Sequence, residues 1–139
     1  MAINKIFEGT PSKNREATVP AGTLPGVALI ADGRPSMTVT AEPTATKSQT
    51  LANGTVITWP IGGVGNAAGK ATVVVDGTYE FAVTGALTTT GNGVEVFITL
   101  ASGALTLTDA GATEEHYGWT DYPVGYRKEA GRAAVRIGA

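Results

Sequence analysis

The chain has 139 residues, a formal net charge of −2 and only 16% charged side chains, against about 25% in a typical globular domain. That length suits one domain with its own core. The absence of cysteine excludes disulfides and thiolate metal sites, and the absence of a basic stripe argues against nucleic-acid binding by phosphate neutralisation. No apolar run approaches the roughly 20 residues of a membrane-spanning helix, and the first residues lack the unbroken apolar core of a signal peptide, so synthesis in the cytosol is expected.

Residues 1–19 show no clean period of 2 or 3.6. They read either as a frayed terminus or short edge strand, or as an extended arm that orders on a neighbouring subunit. In the second reading Ile3, Ile6 and Phe7 are the anchors, because free termini seldom keep three large apolar groups with nothing to bury them. The division expected is an arm over 1–16 and a single β domain over 17–139.

Pro20 to Gly26 is a loop, and Val27-Ala28-Leu29-Ile30-Ala31 a short buried strand closed by a turn at Asp32-Gly33. The return strand alternates over Met37-Thr38-Val39-Thr40-Ala41. Residues 42–52, with Pro and small polar side chains, read as a loop, and Asn53-Gly54 is a hairpin signal before Thr55-Val56-Ile57-Thr58-Trp59-Pro60. From Ser48 to Gly69 there is no charged residue.

The Gly-rich stretch around Gly62, Gly63, Gly65 and Gly69-Lys70 imitates a phosphate loop. A P-loop would need Gly where Val64 stands and Ser or Thr where Ala71 stands. A dinucleotide fingerprint would have to open a helix, whereas Ala71-Thr72-Val73-Val74-Val75 favours a strand. A flexible Gly-rich loop, free to settle against a partner, is the better reading.

Residues 70–108 carry the strongest β pattern. Val73 to Val75 are stiff β-branched residues, Asp76-Gly77 suits a tight hairpin, and Tyr79, Phe81 and Val83 share one face of the next strand. After a turn at Asn92-Gly93, Val94, Val96, Ile98 and Leu100 alternate with Glu95, Phe97 and Thr99. Ser102-Gly103 then turns the chain into Ala104 to Thr108. Residues 109–120 are acidic, hold the lone His116, and read as a solvated loop with Tyr117 and Trp119 as packing anchors. Tyr122, Val124 and Tyr126 alternate as a strand, Glu129-Ala130-Gly131 turns, and Ala133, Val135 and Ile137 alternate on the return. A short helix over 127–134 is the alternative, with Gly131 against it. Arg127, Lys128, Arg132 and Arg136 make a local positive patch, read either as a solvated face or as a dock for an acidic protein surface.

Catalytic signatures are missing. His116 is the single available base, no G-x-S-x-G frames a serine, and Glu80 and Glu95 read as sheet surface rather than an acid/base couple. No catalysis, cofactor or metal site is expected; the acidic window beside His116 matches no ligand spacing of known geometry.

The order of several pieces resembles the capsid cement, or decoration, proteins of tailed bacteriophages. These are Pro20-Ala21-Gly22 through Gly26, Val73 through Phe81, Val96-Phe97 with Ser102 through Thr108, Gly125-Tyr126, and Ala134 through Ile137. The likeness covers most of residues 17–139; the loop from Glu42 to Gly69, longer and more Gly-rich than in compact members, and the arm 1–16 depart from it. It implies an all-β, small barrel- or sandwich-like domain, here with an extended N-terminal arm and a Gly-rich loop. It also implies a non-enzymatic protein on the outer capsid surface of the virion, a homotrimer at three-fold or quasi-three-fold sites whose partner is the major capsid protein, with no nucleic acid and no membrane. The contact residues expected are Ile3, Ile6, Phe7, Trp59, Arg127, Lys128, Arg132 and Arg136. The alternative is a virion-displayed β-sandwich that binds carbohydrate or host. Exposure of Trp59 or Trp119 together with tyrosines would favour it, because sugar sites stack rings on aromatics.

Overall fold

The computed structural model describes residues 5–8, 14–43, 46–60 and 66–138, with backbone alone described at 5–8 and 60. Among these residues every regular element is a β-strand, as the turn-rich, β-branched sequence requires. A closed five-stranded barrel, a curled four-stranded half-barrel sheet and a two-stranded ribbon make up the fold.

The barrel consists of β8 (Gly77–Thr84), β9 (Glu95–Thr99), β10 (Leu105–Thr106), β11 (Glu114–Thr120) and β12 (Arg132–Ile137). Their order is β8-β10-β9-β11-β12, and β12 closes back on β8 in an antiparallel register from Arg132↔Ala82 to Arg136↔Thr78. β10 lies parallel to β8, with Leu105 opposite Val83. β10 occupies the place between β8 and β9, so the turn at Asn92-Gly93 belongs to a crossover and closes no hairpin between them. β1 (Lys5–Glu8) runs along the first half of β8, on the edge away from β12, with Phe7 opposite Thr78 and Glu8 opposite Gly77. Residues 5–8 therefore form the short edge strand that was one of the two readings of the terminus. The boundary drawn at residue 16 falls inside β2 (Asn14–Thr18).

The second sheet runs β2-β7-β4-β3, all antiparallel, with β3 (Ala28–Ala31), β4 (Arg34–Thr38) and β7 (Lys70–Val74). The β3–β4 hairpin turns on Asp32 and Gly33, whose φ angles of 50° and 73° suit the right-handed twist of the flanking strands. The hairpin expected at Asp76-Gly77 does not form. β7 belongs to this sheet and β8 to the barrel, so the dipeptide moves the chain between sheets. Asp76 Oδ1 accepts from the Gly77 amide at 2.7 Å, and Gly77 has φ 103°.

One core joins the two bodies. Tyr79, Phe81, Val83, Val96, Ile98, Leu105, Tyr117, Val135 and Ile137 fill the barrel and meet Ala28, Met37 and Val74 from the sheet. Alternation sends Val73, Ala71 and Ala17 to the sheet's other face, where they cluster with Val19, Leu29 and Ala31. Tyr117 is the pin between the bodies. It is fully buried, meets Phe81 edge-on at 5.7 Å, and donates its hydroxyl to the Ser36 carbonyl at 2.7 Å. Burial first, and then the nearby Tyr79, hold that hydroxyl well above the usual phenol range.

Three further expectations are corrected. The window read as a solvated loop contains β11. Its charged residues lie at the strand's start and Tyr117 sits in the core, so composition masked a seven-residue strand. The stretch read as a loop after Glu42 contains β5 (Thr46–Thr50), paired with β6 (Val56–Pro60). Tyr122, Val124 and Tyr126 are not a strand: the Tyr126 amide bonds to the Pro123 carbonyl at 3.0 Å, Gly125 has φ 83°, and the turn brings the Tyr122 and Tyr126 rings to 5.4 Å. β12 occupies the C-terminal half of the alternative helix.

Candidate interaction surfaces

The ribbon is built from the sequence's hairpin signal. Asn53 Oδ1 accepts from the Thr55 amide at 3.0 Å, the Gly54 amide bonds to Leu51, and Leu51 pairs back to Thr55 at 2.7 Å. Register places Lys47 opposite Trp59 and Gln49 opposite Ile57. Directly opposed residues share a face, so Leu51, Ile57 and Trp59 form one apolar stripe, bordered by Lys47 and Gln49. Ser48, Thr50, Val56 and Thr58 take the other face. Among the described residues neither strand pairs with a further strand, and all side chains described from Thr46 to Trp59 are exposed, Ile57 by 46% and Trp59 by 38%. A two-stranded hairpin alone is marginal in water.

The ribbon's base is tied down by Glu42, whose side chain is buried. Its carboxylate accepts from the Gly69 amide at 2.8 Å and the Gly22 amide at 3.2 Å, joining the chain that enters the ribbon to the chain that leaves it.

The four basic residues behave differently from one another. Arg132 Nη2 pairs with Glu80 Oε1 at 2.6 Å, and Tyr126 donates to the other oxygen, Oε2, at 3.1 Å. Burial, then the hydrogen bond and charge of Glu80, push the Tyr126 hydroxyl up to about 12, against the pull of Arg132. Lys128 Nζ donates to the Thr90 carbonyl at 2.7 Å and stands 4.4 Å from the Tyr122 ring centre. These two cations fasten the crossover and the C-terminal turn to the barrel. Arg127 and Arg136 are exposed. Glu80 and Glu95 sit on strands that β10 separates, so they do not form a couple.

A third surface lies on the outer barrel face; the sequence named its Trp119 as a ring that could stack a sugar, but not the grouping with Glu95, His116 and Arg136. β11 carries a bulge: His116 pairs with Phe97, Gly118 with Val96 and Trp119 with Glu95, leaving Tyr117 as the extra residue. An odd spacing would put His116 and Trp119 on opposite faces; the bulge brings both outward while Tyr117 goes into the core. Their rings lie 5.1 Å apart, Phe97 meets His116 edge-on at 6.3 Å, and Trp119 is 37% exposed. Trp119 also pairs with Arg136 on β12, so Glu95, Trp119 and Arg136 form one row across three strands. His116 Nε2 donates to the Gly138 carbonyl at 3.3 Å, and Nδ1 lies 3.6 Å from Glu95 Oε1 without a hydrogen bond. Gly118 makes the arrangement possible, because a Cβ there would overlap the Arg136 carbonyl oxygen.

Of the sequence-predicted contact residues, Ile3 lies outside the described residues, as do Gly62, Gly63 and Gly65 of the Gly-rich loop. Ile6 and Phe7 lie in β1, Trp59 on the ribbon, and the four cations as described. A groove of about 550 Å³ between β3 and the β9–β10 hairpin is lined by aliphatic and hydroxyl side chains without a titratable group. Among the described residues no three metal-ligating side chains converge. No family model, curated protein or solved structure matches the chain.

Proposed function

We propose that the chain is a structural protein of a tailed-phage virion, decorating the outer surface of the expanded head and bridging capsid subunits. The ribbon is the observation that carries this reading. It presents an indole and two aliphatic side chains on a hairpin that the rest of the fold leaves uncovered, and it holds no charge besides Lys47. Interface cores are depleted of charge, and tryptophan is enriched among the residues that dominate binding. The order of motifs resembling decoration proteins supplies the partner: the major capsid protein, and sister copies in a homotrimer at three-fold or quasi-three-fold positions. A heterologous contact repeated three times closes a ring. Linking several weak contacts across capsid subunits then raises avidity without a single strong site. The barrel and the half-barrel serve as the rigid body that carries the ribbon.

The experiment mixes purified protein with undecorated expanded heads. Saturable binding is expected, with a copy number set by the capsid lattice. The double variant Ile57→Ser with Trp59→Ser should lose at least about tenfold in affinity, as truncation of interface anchors does, with an unchanged β circular-dichroism spectrum. Absence of binding by the parent chain at micromolar protein would overturn the proposal.

A further inference from the structure

The outer barrel face has a chemistry unlike the ribbon's, and we infer that Trp119, with Glu95 and Arg136 on either side, is a binding platform for a neutral hexopyranose oligosaccharide. Neighbouring strands stand about 4.8 Å apart. The register therefore sets a carboxylate one strand to one side of the indole and a guanidinium one strand to the other. All three are exposed. Arg136 has no ion pair or hydrogen bond among the described residues, and Glu95 Oε1 lies 3.6 Å from His116 Nδ1 without a hydrogen bond.

The electrostatics select the ligand. An indole face is electron-rich and attracts the weakly positive C–H face of a sugar ring. Hydroxyls on the rim of that ring both donate and accept, so the same ring can donate to Glu95 and accept from Arg136; bonds to charged partners are the stronger kind. A charge centred over the indole gains from one of these neighbours about what it loses to the other, so neither an anion nor a cation is favoured there. A protein partner would have to meet both charges with opposite ones of its own or bury them unpaired beside the central aromatic, which is costly. The platform is also preformed: His116 backs the indole, Phe97 backs His116, and His116 is held by the Gly138 carbonyl. Preorganisation of this kind lowers the ordering cost of binding.

This site shares no residue with the ribbon and does not depend on capsid docking. The chain has two tryptophans, Trp59 and Trp119, so their indole N–H resonances report the two surfaces separately in one experiment. Cellotriose, maltotriose and triacetylchitotriose are titrated one at a time into the full-length ¹⁵N-labelled protein. At least one should move the Trp119 indole saturably in the millimolar range and leave Trp59 in place. Trp119→Ala should abolish the remaining shifts around β9 and β11. Glu95→Gln and Arg136→Gln should each weaken binding several-fold, while Trp119→Ala still binds heads. The inference is overturned if none of the three sugars moves Trp119, if Trp59 moves equally, or if the Glu95 and Arg136 variants bind as the parent does. Loss of head binding by Trp119→Ala without any sugar response would make the face a protein contact instead.

Discussion

The ribbon and the outer barrel face each expose a tryptophan at nearly the same level, 38% and 37%, yet they are supported in opposite ways. Trp59 stands on a hairpin whose two strands pair only with each other among the described residues, with Lys47 opposite it and Ile57 and Gln49 on the same face. Trp119 stands on a strand paired on both sides in a closed barrel, braced by His116 and flanked by opposite charges. Exposure alone therefore says little about use. An unsupported, charge-poor stripe gains most when a large surface covers it and orders it; a braced, charge-flanked ring already has its geometry and suits a small ligand with hydroxyls.

The largest effect should come from removing one side of this contrast altogether. Replacing residues 46–60 by a short Gly-Ser turn should abolish head binding and leave the barrel's melting temperature nearly unchanged, because among the described residues no barrel strand pairs with the ribbon. A large fall in melting temperature would show the ribbon to be part of the folding unit and weaken its role as a docking element. The converse variant is Gly118→Ala. Its methyl group would meet the backbone carbonyl of Arg136 rather than a side-chain tip, so β12 must move. Overpacking against backbone costs about 3 kcal/mol, read as a lower urea midpoint, and the Trp119 indole resonance should shift. Retention of both would mean that β11 and β12 can separate without disturbing the platform.

These two variants also mark what the sequence could and could not reveal. Tyr79-Phe81-Val83 and Ala133-Val135-Ile137 alternate by two and were legible as strands with their buried faces correct; of the run Val94, Val96, Ile98 and Leu100 the middle pair is buried and the two ends, outside β9, are exposed. The ribbon's turn was legible from Asn53-Gly54. Partnership was not. Asp76-Gly77 looks the same whether the following strand folds back or leaves for another sheet, and nothing local declares that β10 pairs parallel to β8. The platform was hidden by the bulge at Tyr117: read at period two, His116 and Trp119 diverge. Glu42 sits in a Pro- and Thr-rich stretch that reads as solvent-exposed loop. Its burial depends on amides 20 residues before it and 27 after it.

Glu42 gives the next prediction down the scale. Glu42→Ala would leave the Gly22 and Gly69 amides without their carboxylate at the ribbon's root. A lost hydrogen bond to a charged group costs about 2 kcal/mol, measured by chemical unfolding. Since the tie joins the chain on both sides of the ribbon, amide exchange should quicken near residues 22 and 69 and through β5 and β6, while β11 and β12 keep their protection. Uniform loss of protection would mean that Glu42 supports the whole fold rather than the ribbon's placement.

The smallest effect concerns the barrel's C-terminal turn and appears only in alkali. Tyr126 is shifted from an ordinary value of 10.0 to about 12 in the folded protein, chiefly by burial and by donating to Glu80, and burial raises Tyr122 and Tyr117 in the same direction. The folded state thus holds these protons more tightly than the unfolded chain does. Between pH 10 and 12 the unfolded chain binds fewer protons, so the stabilisation is complete below pH 10 and is lost as pH rises towards 12. Unfolding free energies measured across that window should fall with pH, and Tyr126→Phe should make the fall shallower by removing one of the titrating groups. The ribbon contains no tyrosine, so the chain lacking residues 46–60 should show the same slope as the parent. A slope that changes with the ribbon instead would couple the two regions that the strand pairing keeps apart.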